Sequence, residues 1–327
     1  MTMRGGWVRI KAAMLAGAAV FATALAGCDP PRPLAWAYPR ADKPGPLPEA
    51  PPGLQHVPGS AITLTKAQVD DDLNPPDWFP QAHPAPPAIV AHGRHGGPTP
   101  CAECHLMNGE GFLGAPSLAG LPAAYIIQQV REFRSGRRVS SEPGRPATGE
   151  MIKVARTVSD PELASAAAYF AALRPASWVR MVETDTAPAT RPDFYGWLDL
   201  VPGAPPEPIR GRIIEAPEDT ARMILEDPHS GIVDYVPKGA VARGEALVRT
   251  GGAGGQPCAG CHGADLKGAG EAPALAGRAP TYLARMLWDI RTGARKGPTV
   301  APMTTPASGL SEGDITNVVA YLGSLKP

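Results

Sequence analysis

Apolar positions repeat with helical spacing in two matched pairs of stretches. Ala123 to Phe133 and Thr281 to Ile290 form the first pair, and each is followed by a glycine, Gly136 or Gly293, placed where a helix C-cap belongs. In the second pair, Leu163, Ala167, Phe170 and Leu173 share one helical face behind a candidate N-cap, Ser159, and Ser311 stands in the same place before the last stretch. Shorter helical patterns run from Ala88 to His95 and from Gly239 to Arg249. Between these stretches the pattern breaks. Residues 29–100 contain 18 prolines, which predicts an extended tether; within it, Asp70-Asp71-Asp72 through Trp78-Phe79 has the aromatics to lie on a folded domain. Residues 176–237 contain nine prolines together with Trp178, Trp197, Ile213-Ile214 and Ile232 to Tyr235. That is more apolar material than a free linker needs, which predicts packing on both neighbours.

The helical pairs belong to two copies of one unit. At an offset of 157 residues, Cys101 to Arg138 matches Cys258 to Arg295 without a gap, with 14 of 38 positions identical. Both copies open on Cys-x-x-Cys-His, as Cys101-Ala102-Glu103-Cys104-His105 and Cys258-Ala259-Gly260-Cys261-His262. Two thiols three residues apart on one helical turn can each add to a haem vinyl group, and the adjacent His then points at the iron as proximal ligand. A Cys-x-x-Cys alone also suits a redox dithiol or half a zinc site; the His directly after it, in both copies, removes most of that ambiguity. Each motif is followed by Ala-Pro-x-Leu-Ala-Gly, at Ala115 to Gly120 and Ala272 to Gly277. A second offset, 152 residues, aligns Met151 with Met303, Tyr169 with Tyr321 and Pro175 with Pro327, which puts five extra residues into the first copy between Arg138 and Met151.

Composition adds three points. The formal net charge is zero with no basic block, which argues against nucleic acid as a partner. Aromatic content of 6% with 40 Pro and 37 Gly points to small, loop-rich domains whose interior is partly filled by a cofactor. Of five cysteines, four belong to the two motifs and Cys28 is left over. It ends Leu25-Ala26-Gly27-Cys28, after an apolar run from Ala12 to Ala26 that is too short to span a bilayer and is preceded by Arg4, Arg9 and Lys11. This segment resembles a bacterial lipoprotein signal, whose cleavage leaves a lipid-modified cysteine; an ordinary signal peptide with a chance cysteine is the other reading. Asp29, next in line, resembles the residue that favours inner-membrane retention in enterobacterial lipoproteins.

Each copy resembles a class I cytochrome c domain, and the pair is similar to di-haem cytochromes of the c4 type. The resemblance rests on the two haem motifs, the Ala-Pro-x-Leu-Ala-Gly segments and the Arg-x-Gly segments at Arg134 and Arg291, and covers residues 88–175 and 238–327. The chain departs from c4 in its long tether and longer interdomain segment. The implied fold is all-α, two tandem class I domains, partitioned as signal 1–27, tether 28–87, domain 88–175, linker 176–237 and domain 238–327. The implied cofactors are two covalently bound haem c groups, held by Cys101, Cys104 and His105 and by Cys258, Cys261 and His262. A class I domain also carries a methionine loop before its last helix. Met151 and Met303 are the methionines that align between copies, 46 and 41 residues after their histidines, and are expected as sixth ligands. Met107 lies too close to His105, Met286 reads as core, and Met181 and Met223 fall in the linker; His92 and His95 are the remaining candidates. His/Met ligation leaves no open site and suits electron transfer.

The resemblance therefore implies an electron carrier rather than an enzyme, lipid-anchored on the periplasmic side of the inner membrane. Its donor would be a quinol-oxidising complex or a dehydrogenase and its acceptor a terminal oxidase or another redox protein. A di-haem peroxidase-like enzyme and a dedicated cytochrome subunit of a membrane dehydrogenase are the alternatives.

Overall fold

In the computed structural model, residues 34–40, 49–112 and 114–327 are described; the expected signal segment and Cys28 lie outside the described residues. Residues 49–87, expected as a tether, fold onto the body. Strands β1 (Leu54–Gln55) and β2 (Leu64–Thr65) pair antiparallel, and the single turn α1 (Lys66–Val69) follows behind a Thr65/Gln68 capping box. Prolines keep these elements short, yet Ala50, Val57, Val69, Trp78 and Phe79 bury together with Ile224 and Leu225 against them. The aromatic pair anchors what the prolines alone would leave extended.

The first repeat contains α2 (Ala88–Ala91), α3 (Ala102–His105), α4 (Ala123–Arg134), α5 (Pro146–Thr157) and α6 (Asp160–Ala172). Ile126 and Val130 on α4 meet Leu163, Ala167 and Phe170 on α6 in one core, and Ser159 caps α6 through a capping box with Glu162. Gly136 follows α4 at φ 74°, as its C-cap position requires. Arg134 then ties α4 to the segment before α6, donating to the Ala155 and Val158 carbonyls at 2.7 and 2.8 Å.

The all-α expectation fails in the linker. Strands β3 (Val179–Thr184), β4 (Thr186–Ala187), β5 (Thr190–Pro192), β6 (Leu198–Leu200), β7 (Glu207–Pro208), β8 (Ile214–Pro217) and β9 (Ile232–Pro237) form there, with one short helix, α7 (Thr220–Ile224). The main sheet has the order β3-β9-β8, with β3 parallel and β8 antiparallel to β9. β-branched runs such as Ile232-Val233 sit between prolines, too short for a helix and well suited to a pleat, and pairing with distant segments orders them.

In this sheet Glu215 faces Asp234 directly across β8 and β9, and both are buried. Glu215 accepts from the Thr281 hydroxyl at 2.5 Å, and the Asp234 carboxyl has Glu215 as its neighbour across the sheet. Burial, reinforced by Glu215, raises the Asp234 carboxyl well above its ordinary range. Folding therefore requires Asp234 protonated, and stability is lost as pH rises from the unfolded value of about 3.9. Asp234→Asn, which needs no proton to stay neutral, is expected to stabilise the protein at pH 7 by about 1–3 kcal/mol, at ~1.4 kcal/mol for each tenfold change in proton affinity on folding. In thermal melts the gap between variant and wild type should close toward pH 4; a pH-independent gap would refute this account.

The second repeat contains α8 (Ala240–Thr250), α9 (Ala259–His262), α10 (Pro280–Arg291), α11 (Thr304–Ser308) and α12 (Glu312–Ser324), with Ser311 capping α12. Helices α8 and α12 cross so closely at Gly244 that a Cβ there would lie 1.9 Å from the Asn317 carbonyl oxygen. No helix among the described residues is long and apolar enough to cross a membrane.

Candidate functional site

Both Cys-x-x-Cys-His motifs form single helical turns, α3 and α9, ending on the histidine. The Ala-Pro-x-Leu-Ala-Gly segments explain themselves here. His105 Nδ1 lies 2.9 Å from the Pro116 carbonyl oxygen, and His262 Nδ1 lies 2.8 Å from that of Pro273, the matching residue. A carbonyl accepts only, so Nδ1 carries the proton in each ring and Nε2 is left free to ligate. Burial pushes the His105 imidazole down to about 4 and His262 in the same direction, which keeps both neutral. The thiols of Cys101, Cys104, Cys258 and Cys261 are unpaired. Burial pushes those of Cys101 and Cys104 up to about 12.

One continuous cavity of about 1190 Å³ runs between the repeats, larger than the ~300–1,000 Å³ usual for a single ligand. Its wall includes both Cys/His sets, and also Met151 and Met303. Met151 stands on helix α5 rather than in a loop, because Pro146 at its first turn starts a regular helix in the stretch that carries the five extra residues. Met303 ends a 3₁₀ turn, Ala301–Met303. Met286 and Met223 reach the wall as well, whereas His92 and His95 do not line it. His92 bonds instead to Asn74, at 2.9 Å.

Where the copies meet, sequence reasoning missed a set of arginines. Arg138 and Arg295 face each other in an antiparallel bridge. Arg138 donates to Tyr282 at 3.3 Å and Arg295 to Tyr125 at 3.1 Å, so each copy's arginine reaches the other copy's tyrosine. Gln129 Oε1 accepts from both, at 2.9 Å each. Arg278 crosses to the Ser117 carbonyl at 2.7 Å. The available signal was identity between the copies at Tyr125/Tyr282 and Arg138/Arg295; Arg278 has no counterpart, since Leu121 stands in its place. The Nε atoms of Arg138, Arg278 and Arg295 are buried without a hydrogen-bond partner, and all three residues line the cavity. Their positive charge in the cavity wall fits a group with an apolar body and carboxylate edges, as haem has.

The cytochrome c family model matches residues 241–326. Cytochrome c-554(548) of Halomonas halodenitrificans is 39% identical over 87 residues, which is 26% of this chain and 96% of that protein. The chain belongs to the cytochrome c family. Cytochrome c4 of Pseudomonas aeruginosa is 27% identical over 232 residues, 69% of this chain and 83% of that one. Among solved structures, thiosulfate dehydrogenase (TsdBA) from Marichromatium purpuratum matches with a TM-score of 0.50 at 27% identity, over 73% of this chain and 39% of that one. This cytochrome carries covalently bound haem c, for which it has two attachment motifs.

Proposed function

We propose that this cytochrome is a one-electron carrier in which Cys101, Cys104, His105 and Met151 hold the first haem, and Cys258, Cys261, His262 and Met303 the second. The observation that carries this reading is the duplicated histidine-to-carbonyl bond on one shared cavity, with a methionine from each copy in its wall. Each haem supplies a one-electron iron couple. The protein's part is to fix the proximal imidazoles through Pro116 and Pro273, offer a thioether to each sixth position, exclude water with an apolar wall, and join the two pockets through Tyr125, Gln129, Arg138, Tyr282 and Arg295. A histidine and a methionine held to each haem would leave no site open to oxygen or peroxide, which favours a carrier over an enzyme.

Two covalent haems are expected by mass, with no carbon monoxide or cyanide bound by the native protein. His105→Ala should disturb the first haem's spectrum and leave the second intact; one haem by mass, or ready cyanide binding, would sink the reading.

The likeness to the thiosulfate dehydrogenase structure favours one refinement, a dehydrogenase as electron donor with this chain as its dedicated acceptor. The domain limits 28–87, 88–175, 176–237 and 238–327, the signal 1–27 and the lipid on Cys28 belong to the same proposal, as does a position on the periplasmic face of the inner membrane. Acyl chains contribute about 0.8 kcal/mol per buried methylene. Cys28→Ser is therefore expected to release a soluble cytochrome with an unchanged spectrum; a variant that stays on the membrane would assign the attachment to a partner protein.

A further inference from the structure

The two ends of the cavity are closed differently. At the first repeat, the segments that a c4-type pair has no counterpart for converge on the haem motif. Val69, Asp70 and Asp72 from residues 49–87 line the cavity, as do Thr220, Met223, Ile224 and Glu226 on and just after α7, and Tyr195 and Trp197 between β5 and β6. These are one built cap. Trp78 Nε1 donates to the Leu225 carbonyl at 2.6 Å, and Trp78 is buried in the core that Ile224 and Leu225 pack against. The Phe79 ring lies 4.1 Å, centroid to centroid, from that of His229. Asn108, three residues after His105, donates to the Pro228 carbonyl at 3.1 Å and fastens the cap to the haem motif's own loop. Tyr195 and Glu226 line the cavity, as Cys104 does, and Trp197 stacks edgewise on Phe112 at 4.8 Å.

At the second repeat, among the described residues, the mouth is formed by that repeat's own loops. Gln256, Pro257, Thr299 and Pro302 line it and are exposed. The loops touch at Gly254 and Gly309, where a Cβ on Gly309 would sit 2.6 Å from the Gly254 nitrogen. Neither Thr250 to Ala264 nor Gly297 to Ser311 contains an Asp, Glu, Lys or Arg. Glu271 is the exposed charged residue of the second repeat that lines the cavity.

We infer that the cap closes the first haem to external redox partners, so that electrons enter and leave this cytochrome through the mouth of the second repeat. The inference rests on the two-haem carrier reading. One electron passes from the ferrous first haem to the ferric second haem across the arginine-lined interface, with no bond made or broken, and the second haem alone meets the outside acceptor. Tunnelling falls steeply with distance, so a cap over one haem is a barrier where an open edge is none.

The test uses the full, doubly haem-loaded protein, whose haem count and ligation are verified first; a failure there refutes the carrier reading instead. Fully reduced protein is mixed with increasing hexacyanoferrate(III), each oxidant ion taking one electron to become hexacyanoferrate(II). The second haem should oxidise at a rate proportional to oxidant, and the first at a rate that does not change with it; the phases are assigned with Met151→His, whose first haem absorbs differently. A first-haem phase that scales with oxidant overturns the inference. An inert gadolinium chelate gives a readout without electron transfer: it should broaden the haem methyl resonances of the second haem and spare the first, and equal broadening overturns the inference. Trp78→Ala is expected to open the cap and make the slow phase oxidant-dependent. The chelate measurement on the wild-type protein decides the matter even if that variant fails to fold.

Discussion

Met303→His is expected to lower the reduction potential of the second haem by on the order of 100 mV or more, within the ~0.8 V that axial ligands span. A thioether is a soft ligand that favours ferrous iron, an imidazole favours the ferric state, and ~59 mV corresponds to a tenfold shift in that preference. The weak near-infrared sulfur-to-iron band of the second haem should vanish, while the first haem keeps its own. Met151→His should do the converse, in spectroelectrochemical titrations of both variants. The structure sharpens what failure would mean for the first haem. His92 and His95 do not line the cavity and His92 is engaged with Asn74, so an unaffected first haem would transfer the sixth-ligand assignment to Met223, which does line it.

The site was legible in the sequence for a physical reason. Thioether attachment and proximal ligation demand three residue types at fixed spacing, and the duplication displayed the demand twice. The repeat also marked residues whose roles emerge in three dimensions: Pro116 and Pro273 orient the histidines, and Arg134 and Arg291 brace the segment before each last helix. The helices with strong period fell where apolar spacing placed them, α4 at Ala123–Arg134 and α10 at Pro280–Arg291. The Pro-rich segments were poorly legible, because their order comes from long-range partners. Trp78 is fixed by Leu225, 147 residues away, and β3 by its parallel neighbour β9, and neither pairing leaves a local period to read. Met151 looked like a loop residue because alignment with Met303 carried its surroundings along with the role proposed for it.

The interface arginines carry the second large effect. Replacing Arg295 by Met removes the donor to Tyr125, leaves Gln129 with Arg138 alone, and takes a buried cation out of the cavity wall. Stranding buried polar groups costs about 1–3 kcal/mol each, so urea unfolding should show a loss of that order, and Arg138→Met a similar one. The two losses should not add. Gln129 serves both arginines and each crosses to the opposite copy's tyrosine, so a double-mutant cycle is expected to give a coupling of about 0.5–3 kcal/mol. The redox effect has a definite sign. A buried positive charge opposes ferric iron, which carries one more positive charge than ferrous; removing it stabilises the oxidised state and lowers the potential. The fall should be on the order of tens of mV, where ~59 mV is a tenfold preference. Because the network joins both pockets, Arg295→Met should shift both haems, unlike either methionine replacement. A shift confined to one haem, with additive stability losses, would mean that the arginines serve their own copies separately and that the pockets meet without being coupled.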